Sequence, residues 1–493
     1  MMETEDKIEK NSNSDNSYKN ILKRFSAFGG VQVFSILLAL IRGKFVALFL
    51  GPNGMGLTSL YNSSTNTIQQ LAGLGLNLVL VKEVATAKEQ GRGMNVILTV
   101  ALRLIYFTSL LGCAVCFLAS PLLSLWSFGN YDYTLAFMVL SSGVALSVGG
   151  AGYLALLQGL GEVKRLAWAS VVGGLAGVIC GVPLYYFFGS LGIVPALVLA
   201  SLSVFLFYFF SFKRAVDVDR VSFSWKEHKP RIKKLVSLGI VLMIGSIVGT
   251  LTTYLINIFI RSVGSVDDVG LFQAANSLTN QYVGVVFSAM ALDYFPRLTA
   301  VGDDLKRLAS VVNRQLEIVV LIVTPLILLL ILTTPLVIRI LLTENFIVIT
   351  PLMRWLGFGV LLQAVSFPLG YLFIARENRK IYIWVEVVFT NVMWIICSVG
   401  FYFVFSLIGL GISLVVRAFL DIIVVFFVCR RYYGYRISAQ TLKVLLICMM
   451  LGIIGFVASI WTDTHAFILL PCALVVSIFY SVFRLRAGLR RQQ

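Results

Sequence analysis

The sequence predicts an all-α polytopic membrane protein with about 14 transmembrane helices, arranged as two six-helix lobes around a central cavity plus two C-terminal helices. Hydrophobic residues make up 58% of the 493 positions and charged residues only 13%, and the mean hydropathy is +0.90. A soluble domain has about 25% charged residues, so this composition favours a bilayer as the solvent. The spacing of apolar runs and the distribution of basic residues support the same fold class.

Apolar runs near 20 residues, the length that crosses a bilayer as a helix, recur along the whole chain. In the first half they lie at about 25–49, 56–82, 94–119, 133–158, 166–188 and 191–212. After a basic stretch they continue at about 235–262, 269–293, 313–343, 347–375, 381–405, 407–428, 441–461 and 465–484. Each run is predicted to be one transmembrane helix.

Lysine and arginine alternate between the junctions of these helices. With the N-terminus inside, every outward junction lacks Lys and Arg, and all but six of the 40 basic residues fall in inward junctions and tails. This positive-inside pattern predicts a multi-pass protein of the bacterial inner (plasma) membrane with both termini cytoplasmic. Residues 1–20 are polar and are predicted to form a disordered cytoplasmic tail.

Two segments of the chain are similar to each other. Residues 56–66 and 270–280 are identical at six of eleven positions with a constant offset of 214. An internal duplication of this kind is typical of transporters. It predicts an N-terminal lobe at 21–212, a basic linker at 213–234, a C-terminal lobe at 235–430, and two extra helices with a basic tail at 431–493.

Six basic residues remain inside the apolar runs, where each costs roughly 2.5–3.5 kcal/mol at mid-bilayer unless it faces the protein interior or water. Arg42 lies deep in the first helix, Lys44 lies on a different face, and Arg261, Arg339 and Arg354 lie close enough to the outer surface to reach it. A cavity lined by such cations attracts anions. The predicted substrate-binding residues are these five cations and the polar residues of the repeat, namely Arg42, Lys44, Asn62, Asn66, Arg261, Asn276, Asn280, Arg339 and Arg354.

The sixth basic residue, Arg417, has Asp421 four residues later on the same helix face, which favours a structural ion pair that Glu386 could join. The alternative role for Glu386 and Asp421 is to carry a coupling ion. No metal site or cofactor is predicted, because Cys113 and Cys116 form an isolated C-x-x-C inside an apolar helix, where helix packing explains them.

The segment from Arg42 to Leu57, with the polar helix after it and Gly73-Leu74-Gly75, resembles Wzx-type O-antigen and lipid-linked oligosaccharide flippases. These flippases belong to the multidrug/oligosaccharidyl-lipid/polysaccharide (MOP) superfamily. The resemblance implies alternating-access transfer of an undecaprenyl-pyrophosphate-linked glycan, such as an O-antigen repeat unit, and not an enzyme. It also implies that Arg42 and Lys44 are basic cavity residues. The expected partners are the lipid-linked glycan, the bilayer and other glycan-assembly proteins, without nucleic acid.

Three alternatives stay open at this point. Fourteen helices also suit a lipid II flippase of the same superfamily. A multidrug/cation antiporter is expected to carry a carboxylate in helix 1 or 7, where this sequence has Arg42, Lys44 and Arg261. A glycan polymerase or ligase would need a large outward loop, whereas every outward junction here has about thirteen residues or fewer. The energy could come from the membrane potential alone or from proton or sodium return.

Overall fold

Every secondary-structure element is helical in the computed structural model, which describes residues 2–90, 93–216, 225–302, 304–376, 378–461 and 464–490. Up to Ala215 the helices are α1 (Met2–Gly73), α2 (Leu76–Gln90), α3 (Met94–Leu118), α4 (Ser120–Phe128), α5 (Thr134–Gly159), α6 (Val163–Phe188) and α7 (Ile193–Ala215). From Trp225 onward they are α8 (Trp225–Val263), α9 (Val266–Ala300), α10 (Leu305–Leu341), α11 (Thr350–Ala375), α12 (Arg379–Tyr382), α13 (Thr390–Tyr433), α14 (Ala439–Ile460) and α15 (Thr464–Arg490). A π-helical segment, Ile383–Phe389, joins α12 to α13.

Ten segments of the described chain are long and apolar enough to cross a membrane. Three of them, Val33–Gly73, Val163–Ala215 and Arg379–Tyr433, contain an internal break that divides each into two helical parts. Counting these as two helices each, and adding α9, in which the span predicted at about 269–293 lies, accounts for the fourteen helices predicted from the sequence. The predicted fold class, an all-α polytopic membrane protein, is confirmed.

The break inside α1 lies at Gly51, whose φ of 62° is a conformation that glycine adopts without a steric penalty. Pro52 follows, and its fixed φ suits the first residue of the next helical segment. The equivalent break in α13 is at Ser406, with φ 51°. Each break lies at a junction that the sequence predicts to face outward.

Residues 2–20, for which composition predicts disorder, lie within α1 in the structure. The apolar span that follows supplies a helix onto which these residues can continue.

The chain packs as two compact units, each with its own hydrophobic core. The first unit consists of Met1–Arg42, Ser64–Trp126 and Asn130–Ile244, and the second of Gly43–Ser63, Ser127–Gly129 and Gly245–Gln493. The core of the first unit centres on α2, α3 and α5, and that of the second on α10, α11 and α13. The lobe boundaries read from the sequence, at 212–235 and at 430, stay predictions.

Equivalent positions of the sequence repeat meet inside the second unit. Asn53 donates a hydrogen bond to Asp267 over 2.8 Å, and the two residues are separated by 214, the offset of the repeat. Gly56 packs against the carbonyl oxygen of Val266, and Gly270 packs against that of Pro52, with no room for a Cβ at either glycine. We name these reciprocal contacts the repeat contact. The glycines that the repeat shares are therefore required by close helix packing.

A polar connection attaches α14 to α10 within the second unit. The side-chain oxygen of Asn313 accepts hydrogen bonds from the Tyr435 hydroxyl at 2.9 Å and from the Ser438 amide at 3.1 Å. Thr441 donates to Glu317 over 2.7 Å. Burial raises the pKa of Tyr435, because a phenolate would be desolvated there, so the hydroxyl keeps the proton that it donates. Helix α14 and the segment before it are thus joined to α10 by hydrogen bonds.

Candidate functional site

Arg42 lines a cavity of about 470 Å³ inside the first unit, which we name the Arg42 cavity. Helix α1 contributes Arg42 with Ser35 and Leu38, and the other walls come from α5, α6 and α7. The Arg42 side chain is half-buried. Within the described part of the chain we find no hydrogen bond or ion pair to its guanidinium. The described lining of the Arg42 cavity contains no carboxylate, so this cation is not neutralised by the cavity wall.

Besides Ser35, the described lining of the Arg42 cavity contains the neutral polar side chains of Gln158, Ser170 and Tyr208. Ser170 and Tyr208 are hydrogen-bonded through their hydroxyl oxygens at 2.8 Å, and Gln158 is exposed. These residues were not predicted as site residues from the sequence, because helix packing alone can explain an isolated polar residue in an apolar helix. Each of their spans contains other polar residues as well, so no signal in the sequence singled them out. A cation together with amide and hydroxyl groups is suited to an anionic, hydroxyl-rich ligand.

Glycines form one wall of the Arg42 cavity. A Cβ added to Gly173 would lie 3.0 Å from the Val204 Cα, and one added to Gly177 would lie 3.1 Å from the Ala200 Cα. These glycines therefore bring α6 and α7 into close contact, as expected for G-x-x-x-G spacing. Gly174 lines the same cavity opposite Leu38, whose Cδ1 would be 2.6 Å from an added Cβ. Substitution at Gly174 therefore adds volume toward the cavity.

The other predicted residues of the first repeat lie outside the described lining of the Arg42 cavity. Lys44 is exposed, as expected for a residue on a different face of α1 from Arg42. Asn62 is half-buried and Asn66 is exposed. In the second repeat, Asn280 is exposed and donates a hydrogen bond to Asn276 over 2.8 Å.

Asn66 and Asn280 occupy equivalent repeat positions, and both are exposed. An amide group in hydrocarbon lacks hydrogen-bond partners, so these exposed amides are expected to face water.

Two of the predicted cations donate hydrogen bonds to backbone carbonyls. The Nε of Arg261 donates to the Ser127 carbonyl over 3.0 Å, and Arg354 donates through Nη1 to the Ser459 carbonyl. Both contacts join elements of the second unit, and both arginine side chains are half-buried. Arg339 is exposed. The structure therefore brings none of these three into the Arg42 cavity.

Glu386 and Asp421, the predicted ion-coupling residues, lie with Arg417 in a separate charged cluster of the second unit. Arg417 and Asp421 are each only 6% exposed. The hydrogen-bond donor to Asp421 is Thr390, at 3.0 Å, and the Arg417 guanidinium lies 5.5 Å from the centre of the Trp394 ring. Within the described residues, no group of three or more His, Cys, Asp and Glu side chains could hold a metal ion.

Comparison with solved structures defines the fold of the protein. A structure described as lipid II flippase MurJ in an inward closed conformation superposes with a TM-score of 0.71 at 13% identity, covering 95% of this chain and 99% of that chain. An inward-facing multidrug resistance MATE family transporter of the MOP superfamily gives 0.67 at 17% identity, covering 83% and 96%. The chain therefore has the same fold as these two structures.

Sequence comparison then places the chain within a family. Residues 45–351 match the family model described as polysaccharide biosynthesis protein, so the chain belongs to that family. The lipid III flippase of Escherichia coli (strain K12) is 25% identical over 356 residues, which are 71% of this chain and 83% of the relative. The lipid III flippase of Shigella flexneri has the same identity and coverage.

Proposed function

We propose that the protein is a flippase that moves an undecaprenyl-pyrophosphate-linked oligosaccharide, an O-antigen or similar repeat unit, from the cytoplasmic to the periplasmic leaflet by alternating access. The observation that carries this proposal is the Arg42 cavity, in which a guanidinium without a partner in the described chain faces open space. The family, and relatives that are themselves named lipid III flippases, support the same class of substrate.

The chemistry of the Arg42 cavity fits the head group of such a lipid. A guanidinium offers two parallel N–H groups to phosphate oxygens, a geometry that favours Arg over Lys. Gln158, Ser170 and Tyr208 can exchange hydrogen bonds with sugar hydroxyls. Translocation breaks no covalent bond, so the mechanism needs no nucleophile or general base, and the protein acts as a carrier and not as an enzyme.

The remaining predicted substrate-binding residues are proposed to contact the glycan at other points along its path across the membrane. Exposed Lys44 and Arg339 and the repeat residues Asn62, Asn66, Asn276 and Asn280 are proposed to contact the head group at other stages of transport. For Arg261 and Arg354 a substrate role would require release of the carbonyl contacts that they make in this structure. They are therefore proposed as secondary contacts only.

The membrane potential can drive the proposed direction of transport. Each negative charge that moves outward from a negative interior gains about 2.3 kcal/mol per 100 mV. A pyrophosphate diester near two negative charges gains about twice that.

The proposed location is the bacterial inner membrane. Both termini are cytoplasmic, because that orientation places the basic junctions inside. Other glycan-assembly proteins are the expected partners.

Two other carriers of the same fold are the alternatives. A lipid II flippase has the same head-group phosphates, and a solved structure described by that name shares the fold. A multidrug/cation antiporter is disfavoured by the Arg42 cavity, since a guanidinium with no partner in the described chain repels cationic drugs.

The test is translocation by purified protein in proteoliposomes. A fluorescent undecaprenyl-pyrophosphate oligosaccharide should change leaflets only when the protein is present, and faster with a potential of the favourable sign. Arg42→Ala should slow this movement, whereas Arg314→Ala, which removes an exposed cation of α10, should not. Movement of lipid II in place of the oligosaccharide would establish the first alternative, and movement of neither lipid would refute the proposal.

A further inference from the structure

Helix α9 of the second unit is polar where a lipid-facing helix is apolar. Among its described side chains between residues 269 and 293, the exposed ones are Asn280, Ser288 and Asp293. Helix α14 of the same unit differs, because its exposed side chains between residues 446 and 460 are all apolar. Apolar side chains suit contact with hydrocarbon, whereas an amide group lacks hydrogen-bond partners there. The exposed face of α9 is therefore expected to contact water and not lipid.

This face of α9 carries two amides and an aromatic ring. Asn276, Asn280 and Phe287 are separated by four and by seven residues, spacings that place side chains on one side of a helix. Asn280 donates a hydrogen bond to Asn276 over 2.8 Å. The Asn280 side-chain oxygen and the Asn276 N–H groups have no partner in the described chain. The face therefore offers both a hydrogen-bond acceptor and donors beside a half-buried ring.

A face of α11 with the same character adjoins it. Gln363, Phe367 and Tyr371 follow one another at intervals of four residues, and all three side chains are half-buried. The Phe367 ring stacks on the Phe287 ring, with centroids 4.5 Å apart and planes at 25°, and its centroid lies 5.1 Å from that of Tyr371. Within the described residues, the Gln363 amide and the Tyr371 hydroxyl have no hydrogen-bond partner. The ring contacts thus join the two helix faces into one surface.

Amides beside aromatic rings are suited to binding a sugar. A sugar ring carries C–H groups on its faces and hydroxyl groups at its rim, and the negative face of an aromatic ring attracts such C–H groups. An amide both donates and accepts, so it can bond to the hydrogen or the oxygen of a hydroxyl. A polyprenyl chain on this surface would instead leave the amides without hydrogen bonds. The chemistry therefore favours the uncharged, hydroxyl-bearing part of the transported lipid.

We propose that the second unit contains a carbohydrate-binding surface for the sugar rings of the lipid-linked glycan, which we name the amide–aromatic surface. It consists of Asn276, Asn280, Phe287, Gln363, Phe367 and Tyr371. This inference rests on the proposed flippase function. It adds a second contact for the glycan to that of the Arg42 cavity, which supplies the cation for the phosphates, whereas none of the six side chains carries a charge.

The first experiment separates binding of the glycan from binding of the lipid pyrophosphate. Native mass spectrometry of the detergent-solubilised protein measures Kd for undecaprenyl pyrophosphate and for the fluorescent undecaprenyl-pyrophosphate oligosaccharide. Phe367→Leu should weaken binding of the oligosaccharide lipid about two- to tenfold and leave that of undecaprenyl pyrophosphate unchanged. Asn280→Ala should have the same selective effect through loss of hydrogen bonds. It also keeps the test decisive if Phe367→Leu does not fold, since the Asn280 side chain is exposed.

Phe358→Leu is the matched control. Phe358 is a half-buried residue of α11 nine positions before Phe367, about two and a half helical turns away, and therefore lies on the opposite face. Its ring stacks on that of Phe456 of α14 at 4.7 Å. Phe358→Leu should bind both lipids as the wild type does. Equal losses for both lipids in Phe367→Leu would assign the rings to the polyprenyl chain, and a matching loss in Phe358→Leu would indicate a general packing effect. Either result would overturn the proposal.

A second measurement does not depend on transport. The probe is the oligosaccharide alone, after mild acid has released it from undecaprenyl pyrophosphate. Saturation-transfer NMR with the full-length protein should show transfer from aromatic protons to the C–H protons of the sugar rings, reduced in Phe367→Leu and kept in Phe358→Leu. Absence of transfer with the wild type would overturn the amide–aromatic surface, even if the lipid-linked glycan changes leaflets. If transfer is present but no lipid-linked glycan moves, the proposed function fails and the amide–aromatic surface stands.

Discussion

Replacing Arg42 with alanine removes the charged group from the described lining of the Arg42 cavity. The folded protein should tolerate this change, since we find no hydrogen bond or ion pair to the guanidinium in the described chain. The effect should therefore fall on binding of the anionic head group. Expression and thermal stability of Arg42→Ala are expected to match those of the wild type.

The expected magnitude follows from the hydrogen bonds that Arg42 can make. A hydrogen bond to a charged group contributes about 1.5–3 kcal/mol, and about 1.4 kcal/mol corresponds to a tenfold change. Loss of a single such bond should reduce transport at low substrate concentration by about ten- to a hundredfold. Arg42→Lys keeps the charge and loses the paired N–H geometry. Its transport rate should therefore lie between the rates of the wild type and of Arg42→Ala.

The assay compares initial translocation rates in proteoliposomes with substrate well below saturation. Arg314→Ala is the matched control, because it also deletes one arginine but from an exposed position outside the described cavity lining. Equal rates for wild type and Arg42→Ala would refute the assignment of the cavity. A loss of equal size in Arg314→Ala would show that net charge, and not the cavity, determines the rate.

Three further predictions concern packing in the two units. Gly174→Leu should slow transport at least several-fold with normal expression, because its side chain enters the Arg42 cavity at Leu38; wild-type transport would contradict this. In Asn53→Cys/Asp267→Cys, oxidation should form a disulfide, detected by protease cleavage and gel mobility, since the native side chains are 2.8 Å apart. The disulfide should stop transport reversibly, and full transport in the oxidised protein would show that the repeat contact need not open. Tyr435→Phe should lower thermal stability by about 1 kcal/mol through loss of one hydrogen bond, and an unchanged unfolding curve would exclude this role.

Hydropathy and charge alternation were sufficient to predict the membrane fold. The helix break at Gly51 and Pro52 and the close packing at Gly173 and Gly177 follow from local residue chemistry, which a sequence displays directly. Arg42 was recognisable for a similar reason, because a guanidinium deep in an apolar helix requires an interior or wet environment.

Contacts between distant segments were not predictable in this way. Ser170 and Tyr208 meet across two helices, and the periodicity of each helix does not specify which neighbour its polar residue faces. Arg261 contacts a carbonyl 134 residues earlier in the chain, at Ser127, and the pattern of neither helix indicates this contact. The packing of Gly43–Ser63 with the second unit is likewise a tertiary property.

The most direct test of the account is an experimental structure of the protein with a bound undecaprenyl-pyrophosphate oligosaccharide. The account predicts a phosphate of the head group in the Arg42 cavity, at about 2.7–2.9 Å from the guanidinium nitrogens of Arg42. A structure with the head group bound elsewhere, and with Arg42 paired to a protein carboxylate, would contradict it.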